Sequence, residues 1–439
     1  MSRARLSLIV SLASAAAVGV AHASPVDLFG FGARGQGMAG AIGATATGIE
    51  SVYYNPAGLA YDDRPTFSLA YQFGALDLRY RVGDSGGLTR ADALDTPALS
   101  IGFGVPLPFG GILKDRLAIG LGFVIPQTSI FIADIERPAD PTFILIENRA
   151  QTVSIQAALS VRVSDWLALG VGTIALAELD GQIEVAPNAA GRIGSKVKDQ
   201  LVADYAPVAG VLLRLLPEDV REDGAPERPP RHRLSMALTF RGESRADFDL
   251  PIEADLGDSF GIPIPEILVH GTAAFDPAEL AFEASFRIVP ELSVSIGAML
   301  ELWSTFPLPI AYAAVPEGTP PQPKPDFHDT IGLKTGLEGE LTLARDVTFL
   351  PRLGFAFEPT PSPDQTGFHN HLDGDRTILA LGVGVHIGRV RIDLAGQWHH
   401  LAQRISTKVD GTAATNPGFP SILSTGHILF GSLELGITL

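Results

Sequence analysis

From residue 65 onward, apolar side chains recur at every second position along stretches far longer than ordinary strands. In 280–288, Leu280, Phe282, Ala284, Phe286 and Ile288 alternate with Ala281, Glu283, Ser285 and Arg287. In 379–387, Leu379, Leu381, Val383, Val385 and Ile387 alternate with Ala380, Gly382, Gly384 and His386. A period of two marks strands with one apolar face and one polar or small face. Strands of a soluble sandwich alternate as well, but run nearer ~5–6 residues. Here the polar faces also carry charges and glycines at mid-strand, which suits a wet or plugged lumen. Membrane strands need about 9–11 residues at a steep tilt, and these stretches are long enough.

Fourteen such segments can be drawn: 65–80, 97–109, 115–134, 148–163, 166–186, 199–215, 232–249, 278–289, 292–304, 328–343, 347–358, 376–388, 390–403 and 426–439. An even number is what a bacterial single-chain barrel requires. Short connectors (164–165, 290–291, 344–346, 388–389) interleave with long ones near 81–96, 250–277, 305–327, 359–375 and 404–425. Short turns belong on the periplasmic side and long loops outside. The connector 217–231 is long, charged and proline-rich although strand parity puts it in the periplasm, so it reads as an insertion. The chain ends on an alternating strand, with Leu433, Leu435, Ile437 and Leu439 on one face. The fold class expected is all-β: a 14-stranded antiparallel transmembrane β-barrel.

Composition narrows the alternatives. Residues 1–23 combine basic Arg3 and Arg5, an apolar run over 6–20 and Ala21-His22-Ala23, the pattern of a secretory signal peptide cleaved after Ala23. Loss of those two arginines would take 32 basic residues to 30 against 49 acidic ones, a net charge of −19. That balance argues against nucleic-acid binding, which wants a basic footprint. Cysteine is absent, so disulfides, thiol catalysis and thiolate metal sites are excluded. With 46% hydrophobic residues but no apolar run of ~18 beyond the leader, a barrel is the membrane solution that remains.

Between leader and first strand lies a glycine-rich segment, Gly30-Phe-Gly-Ala-Arg-Gly-Gln-Gly-Met-Ala-Gly40, continuing to Tyr54-Asn-Pro-Ala-Gly-Leu59. It is too rich in small residues to build its own core and must pack inside something else. Asn55 before Pro56 has the form of an N-cap followed by proline at the first helical position. Placed before fourteen strands, these residues resemble the hatch of the FadL/TodX family of outer-membrane transporters for long-chain fatty acids and other hydrophobic compounds. Glu301-Leu-Trp-Ser304 and the run from Asp329 through 352–363 to Asp375-Arg376 add to the resemblance. It implies three regions: a signal peptide at 1–23, a hatch of short helices at 24–63 and a barrel at 64–439. It further implies capture of an apolar ligand at the outer loops, passage to a lumen site, and release by hatch movement or a lateral gap near the third strand.

Residue by residue, Asn55, Pro56, Ala57 and Gly58 are candidates for a gate, with a plain helix cap as the alternative. Gly120, Gly122 and Pro126 predict a kink or bulge in the third strand. Phe260, Ile262, Ile264, Ile267 and Leu268 make the 250–277 loop apolar enough for ligand capture or for a small core of its own. Arg287, Lys334 and Arg391 fall on inward faces and would either pair a ligand carboxylate or balance lumen acids such as Glu283, Glu338 and Asp393. His369 with His371, and His399 with His400, lack a third ligand, so no metal is expected; nor is any other cofactor. No nucleophile elbow supports an enzyme.

The function expected is passive uptake of fatty acids or similar hydrophobic molecules. The alternative is a non-transporting outer-membrane barrel acting as surface receptor, adhesin or structural protein. The partners expected are a hydrophobic small-molecule ligand, outer-membrane lipid and lipopolysaccharide, and the barrel-assembly machinery, around a monomer.

Overall fold

The computed structural model describes residues 25–84, 86–91, 95–127, 140–146, 153–187, 193–217, 232–254, 267–308, 310–312 and 324–439. The expected leader and most of the 217–231 connector lie outside the described residues. Seven strands form the first half of a barrel: β1 Thr66–Val82, β2 Thr96–Pro106, β3 Leu117–Pro126, β4 Ser154–Arg162, β5 Leu167–Pro187, β6 Ile193–Pro217 and β7 His232–Arg241. The second half is β8 Glu279–Val289, β9 Leu292–Glu301, β10 Thr330–Gly339, β11 Val347–Glu358, β12 Arg376–Ile387, β13 Val390–Thr407 and β14 Ser421–Thr438. Each is antiparallel to its neighbour, and β14 returns to β1 in a register that runs from Thr66↔Thr438 to Val82↔Ile422. The fourteen-stranded barrel is therefore closed, which leaves no unpaired edge in hydrocarbon.

The two faces separate as the alternation requires. In β1, Leu69, Tyr71 and Phe73 point outward while Ser68, Ala70 and Gln72 are buried. In β14, Leu429, Leu433, Leu435 and Ile437 point outward while Ser432 and Glu434 are buried. Two-residue turns join β8 to β9 and β12 to β13, and the four residues 163–166 join β4 to β5, at the rim where β1 starts and β14 ends; by their length this rim is periplasmic. Pro217 pairs directly with His232, so β6 and β7 are neighbours and the parity of the strands holds across the insertion.

Several boundaries shift by a few residues, with β6 starting at Ile193, β13 running to Thr407 and β14 starting at Ser421, and one is corrected outright. The strand expected over 232–249 stops at Arg241. Ser244–Ala254 turns away and pairs with Ile267–Asp276 in an outer hairpin, before β8 rejoins β7 at Arg241↔Glu279. The reason is crowding at Gly242, whose N–H donates to the Pro207 carbonyl at 2.8 Å. A Cβ at Gly242 would sit 2.6 Å from the Pro207 ring. Much of the expected 250–277 loop is thus strand, and this hairpin adds a short parallel contact to the outer end of β5 at Ile183↔Ile252.

What fills the barrel is the N-terminal segment. Its short helices, Pro25–Phe29, Ala33–Gly37 and Ser51–Tyr54, and two 3-10 turns, Gly48–Glu50 and Pro56–Tyr61, lie within the strand ring. Phe31, Met38, Ile42, Ile49 and Tyr54 from this segment form the main hydrophobic core with Val124, Ile174 and Val208 of the wall.

Leu381 faces outward near the middle of β12, beside inward Gly382. Leu381→Arg is expected to destabilise the barrel by about 2–4 kcal/mol, the cost of a lipid-facing cation near the bilayer midplane. Urea unfolding from vesicles reads this; an unchanged midpoint would place Leu381 off the lipid face.

Candidate functional site: the hatch and its seat

The hatch is held in a shape that only its glycines permit. Gly30 has φ +85°, and a Cβ there would lie 2.4 Å from the Tyr54 hydroxyl. The Tyr54 hydroxyl accepts a bond from the Phe31 N–H at 3.1 Å, which ties the start of the segment to its last helix. Asn55 has extended backbone, and its Oδ1 accepts from the Ala57 N–H at 3.0 Å, the cap its sequence foretold. Its Nδ2 donates to the Val211 carbonyl of β6 at 3.1 Å, so the same side chain also fastens hatch to wall. Pro56 and Ala57 press on β5, where a Cβ at Gly170 would sit 2.3 Å from their backbone. Gly58 leaves room for the Ala46 carbonyl, 2.4 Å from where its Cβ would be.

The third-strand glycines do a different job from the one expected. β3 pairs with β2 from Ala98↔Pro126 to Pro106↔Ala118 and with β4 from Leu117↔Val161 to Val124↔Ser154 without a register shift. The ladder of these described residues carries no bulge. Gly120 instead receives Val52 and Leu59, and Gly122 receives Phe31, with side-chain atoms 2.6 to 3.0 Å from the missing Cβ positions. Pro126 ends the strand, where its missing N–H removes no ladder bond inside it.

A chain of alternating charge locks the periplasmic side of the hatch. Arg34 donates to both oxygens of Glu338 at 2.8 and 2.9 Å, and lies 3.6 Å from Glu50. Glu338 also accepts from Arg352 at 2.7 Å, and Arg352 reaches Asp393 at 2.5 Å. Asp393 pairs with Arg391 at 2.8 Å; Arg391 pairs with Glu434, which accepts from the Ala33 N–H at 2.8 Å. The chain therefore leaves the hatch at Arg34, crosses β10, β11, β13 and β14, and returns to the hatch at Ala33. Two shorter anchors add to it. Glu283 pairs with Lys334 at 2.7 Å and accepts from the Gly43 N–H at 2.7 Å. Arg241 pairs with Glu279 at 2.7 Å, covers the Tyr53 ring and donates to the Tyr53 carbonyl.

Of the three cations singled out, Lys334 and Arg391 are thus committed to lumen acids. Arg287 donates to the Pro290 carbonyl of its own turn at 3.3 Å, approaches Glu340 at 3.9 Å and lies below the hatch. Phe260, Ile262 and Ile264 lie outside the described residues, while Ile267 and Leu268 open the second strand of the outer hairpin. His399 is buried beside Phe29 and Gln397, whereas His400 meets His427 on the opposite face.

On the outer side of the hatch lie two apolar clusters. Phe29 stacks on Phe430 at 4.5 Å within a cluster that includes Leu28, Leu76, Phe143, Ile146, Leu372 and Ile428. Nearer the outer rim, Phe275, Trp303, Phe306 and Phe327 pack with Leu145, with Phe306 stacked on Phe327 at 4.3 Å. Between hatch and rim is a cavity of ≈ 90 Å³ lined by Phe29, Tyr53, Tyr54, Ile174, Met299 and the Arg376–Glu358 pair, among others. Phe143, Phe306 and Phe327 drew no attention in the sequence, because they come from separate connectors that only the closed barrel brings together.

A fourteen-stranded barrel closed around an N-terminal hatch is the fold of FadL- and TodX-type channels. The solved structure of a FadL homologue from Pseudomonas aeruginosa is similar to this chain with a TM-score of 0.60 at 16% identity, over 96% of this chain and 99% of that one. The P. putida toluene transporter TodX matches with a TM-score of 0.56 at 12% identity, over 94% and 99%. The Ralstonia pickettii toluene transporter TbuX matches at 0.51 and 15%, over 94% and 99%. At such identities the likeness is one of fold. No family model and no curated protein matches the sequence.

Gly210→Val would aim a side chain at Asn55, whose Oδ1 is 2.1 Å from the Cβ position. The expected outcome is an unseated hatch: planar-bilayer recordings should change from a silent baseline to steady conductance, with the barrel still heat-modifiable. Wild-type silence in a correctly inserted variant would count against the seat. Glu50 gives a second test. Burial pushes its carboxyl from 4.5 up to about 7, opposed by Arg34. A raised carboxyl favours the seated hatch at low pH and loses that contribution as pH rises through about 5 to 8. A cysteine reporter in place of buried Ala33, with labelling normalised to free thiolate, should become more accessible over that range, and Glu50→Gln should flatten the change.

Proposed function

We propose that this protein is an outer-membrane channel for passive uptake of hydrophobic small molecules, taking ligand at the outer rim and releasing it past the hatch. The observation that carries the reading is the division of the lumen. On the outer side, apolar clusters stand about Phe29 and about Trp303, and beneath them the hatch is fastened to the wall by polar and ionic contacts. TodX and TbuX share this fold and are toluene transporters. Long-chain fatty acids are the further class that the hatch residues, through their family resemblance, bring in. We assign release to displacement of the 55–58 turn, or to a lateral gap beyond the paired part of β3. The hatch carries no energy-coupling motif, so transport runs down the ligand gradient. The extent of the ionic seat favours one rival, a permanent plug in a surface receptor, adhesin or structural barrel.

Uptake of labelled oleate and of toluene into cells lacking their own importers separates the two. Expression of the protein should raise uptake of at least one above the empty-vector rate. A properly inserted protein that passes no chain length of fatty acid and no aromatic hydrocarbon would leave the plug as the better reading.

A further inference from the structure

The outward face of the barrel changes chemistry at one height across three adjacent strands. On β1 the outward residues pass from Leu69, Tyr71 and Phe73 to Asp77, Arg79 and Arg81. The neighbouring strands change in the same row. Ala75 stands beside Leu429 of β14 and Trp398 of β13, and the next outward row is Asp77, His427 and His400. Asp77 lies eleven residues beyond Thr66 at the periplasmic rim, and a strand needs about 9–11 residues to cross the hydrocarbon. This row therefore marks the outer edge of the apolar band, where barrels carry an aromatic girdle. The residues beyond it stand among lipid head groups.

Past that line the outward face is cationic, in a chain whose net charge is −17. Arg79 lies directly opposite Arg90 of the short strand Thr89–Arg90. Like charges opposed across a ladder repel. Among the described residues one carboxylate, Asp77, serves both, at 2.8 Å from Arg79 and 4.0 Å from Arg90. Asp77 and Arg79 are nearly half exposed, so solvent screens their pair and leaves the guanidinium available. Arg81 also points outward, since Tyr80 packs into the inner apolar cluster. Its Nε is buried with no hydrogen-bond partner among the described residues. An unsatisfied buried donor costs free energy, and an anion that accepts from it relieves that cost. Beside the arginines, Trp398, His400 and His427 form an aromatic patch. Their ring planes lie within 24° of one another, and the centroids are 5.6, 5.7 and 4.9 Å apart, a triangle rather than a column. The two imidazoles meet at Nδ1, 3.3 Å apart, where one ring N–H donates to the other nitrogen. Trp398 is 38% exposed and His427 is exposed, so the patch is open to the membrane side.

We infer that this face is a lateral binding site for the phosphorylated glycolipid of the outer leaflet, the lipid A part of lipopolysaccharide. Arg79, Arg81 and Arg90 hold a phosphate, and the Trp398 patch takes the C–H face of a sugar ring. Guanidinium groups match phosphate oxygens in charge and geometry. Acyl chains below the head group lie along Leu429, Phe73 and Tyr71, which face outward on the same strands. Phosphate, sugar and acyl chain each meet their own surface in the right vertical order. A phospholipid leaves the aromatic patch without a partner, which is why the glycolipid is the better fit. The site lies on the outside of the wall and is independent of what passes through the lumen.

Because the chain has no cysteine, a single Thr425→Cys substitution places a lone thiol at the site, opposite Arg79 in the β1–β14 register. In detergent-solubilised protein that remains heat-modifiable, bisphosphorylated lipid A should slow its labelling by N-ethylmaleimide. Phosphatidylglycerol at the same concentration should not. Adding Arg79→Gln, Arg81→Gln and Arg90→Gln should raise the half-protecting lipid A concentration about tenfold or more, the effect of losing charge-assisted hydrogen bonds. Arg81→Gln alone should raise it about threefold, and it carries the test if the triple variant does not fold. No protection by lipid A, or undiminished protection in the arginine variants, overturns the site. Equal protection by phosphatidylglycerol or by inorganic phosphate overturns the glycolipid. The readout involves no transport, so its failure leaves the uptake reading untouched, and failure of oleate and toluene uptake leaves this site untouched.

Discussion

Arg352 is 4% exposed and stands between Glu338 and Asp393, and the joint between hatch and wall depends on it. A carboxylate as deeply buried as Asp393 is costly unless a cation and hydrogen bonds compensate it. Taking one partner from such a buried pair costs about 3–5 kcal/mol, because the other charge is left uncompensated. Here the consequence would spread. Glu338 would rely on Arg34 alone, and Asp393 on Arg391, which already serves Glu434. The charges act as a register device: they are satisfied together only when the hatch sits at one height and one rotation within the barrel.

Close approach supplies the other half of the fit. Wall glycines and hatch residues meet all around the lumen: Gly102 against Ile49, Gly336 and Gly354 against Met38, Gly382 against Gly37. The small residues are therefore shared between the two partners rather than confined to the hatch. Dispersion between closely packed surfaces adds up over such an area, although each atom pair contributes only about 0.1–0.2 kcal/mol. A hatch seated both by charge and by shape has few ways to shift slightly. Motion, if ligand drives it, has to be a discrete unseating of a segment such as 55–58.

The barrel was legible in the sequence because an alternating pattern over ten or more residues has few other structural meanings. Turn positions such as Ser164-Asp165 and Gly388-Arg389 were legible for the same reason. The break at Gly242 was not, since the alternation of β7 runs on into 244–249 and the cause is Pro207, thirty-five residues earlier. Gly120 and Gly122 were visible as unusual but were assigned to a kink, because the side chains that fill their space come from the hatch and not from neighbouring strands. Lys334 and Arg391 were legible as inward cations, and the structure sets them beside Glu283, Asp393 and Glu434. That Arg34 and Arg352 share Glu338 was beyond reach, since it depends on the hatch's position against strands far along the chain.

The seam between first and last strands carries one more implication. The seventeen-residue β1 follows the hatch directly and closes only against β14, which ends one residue from the end of the chain. Ala33 in the hatch bonds to Glu434 on that closing strand. The strand that shuts the wall also fastens the stopper, so closing the cylinder and holding the plug are one set of contacts.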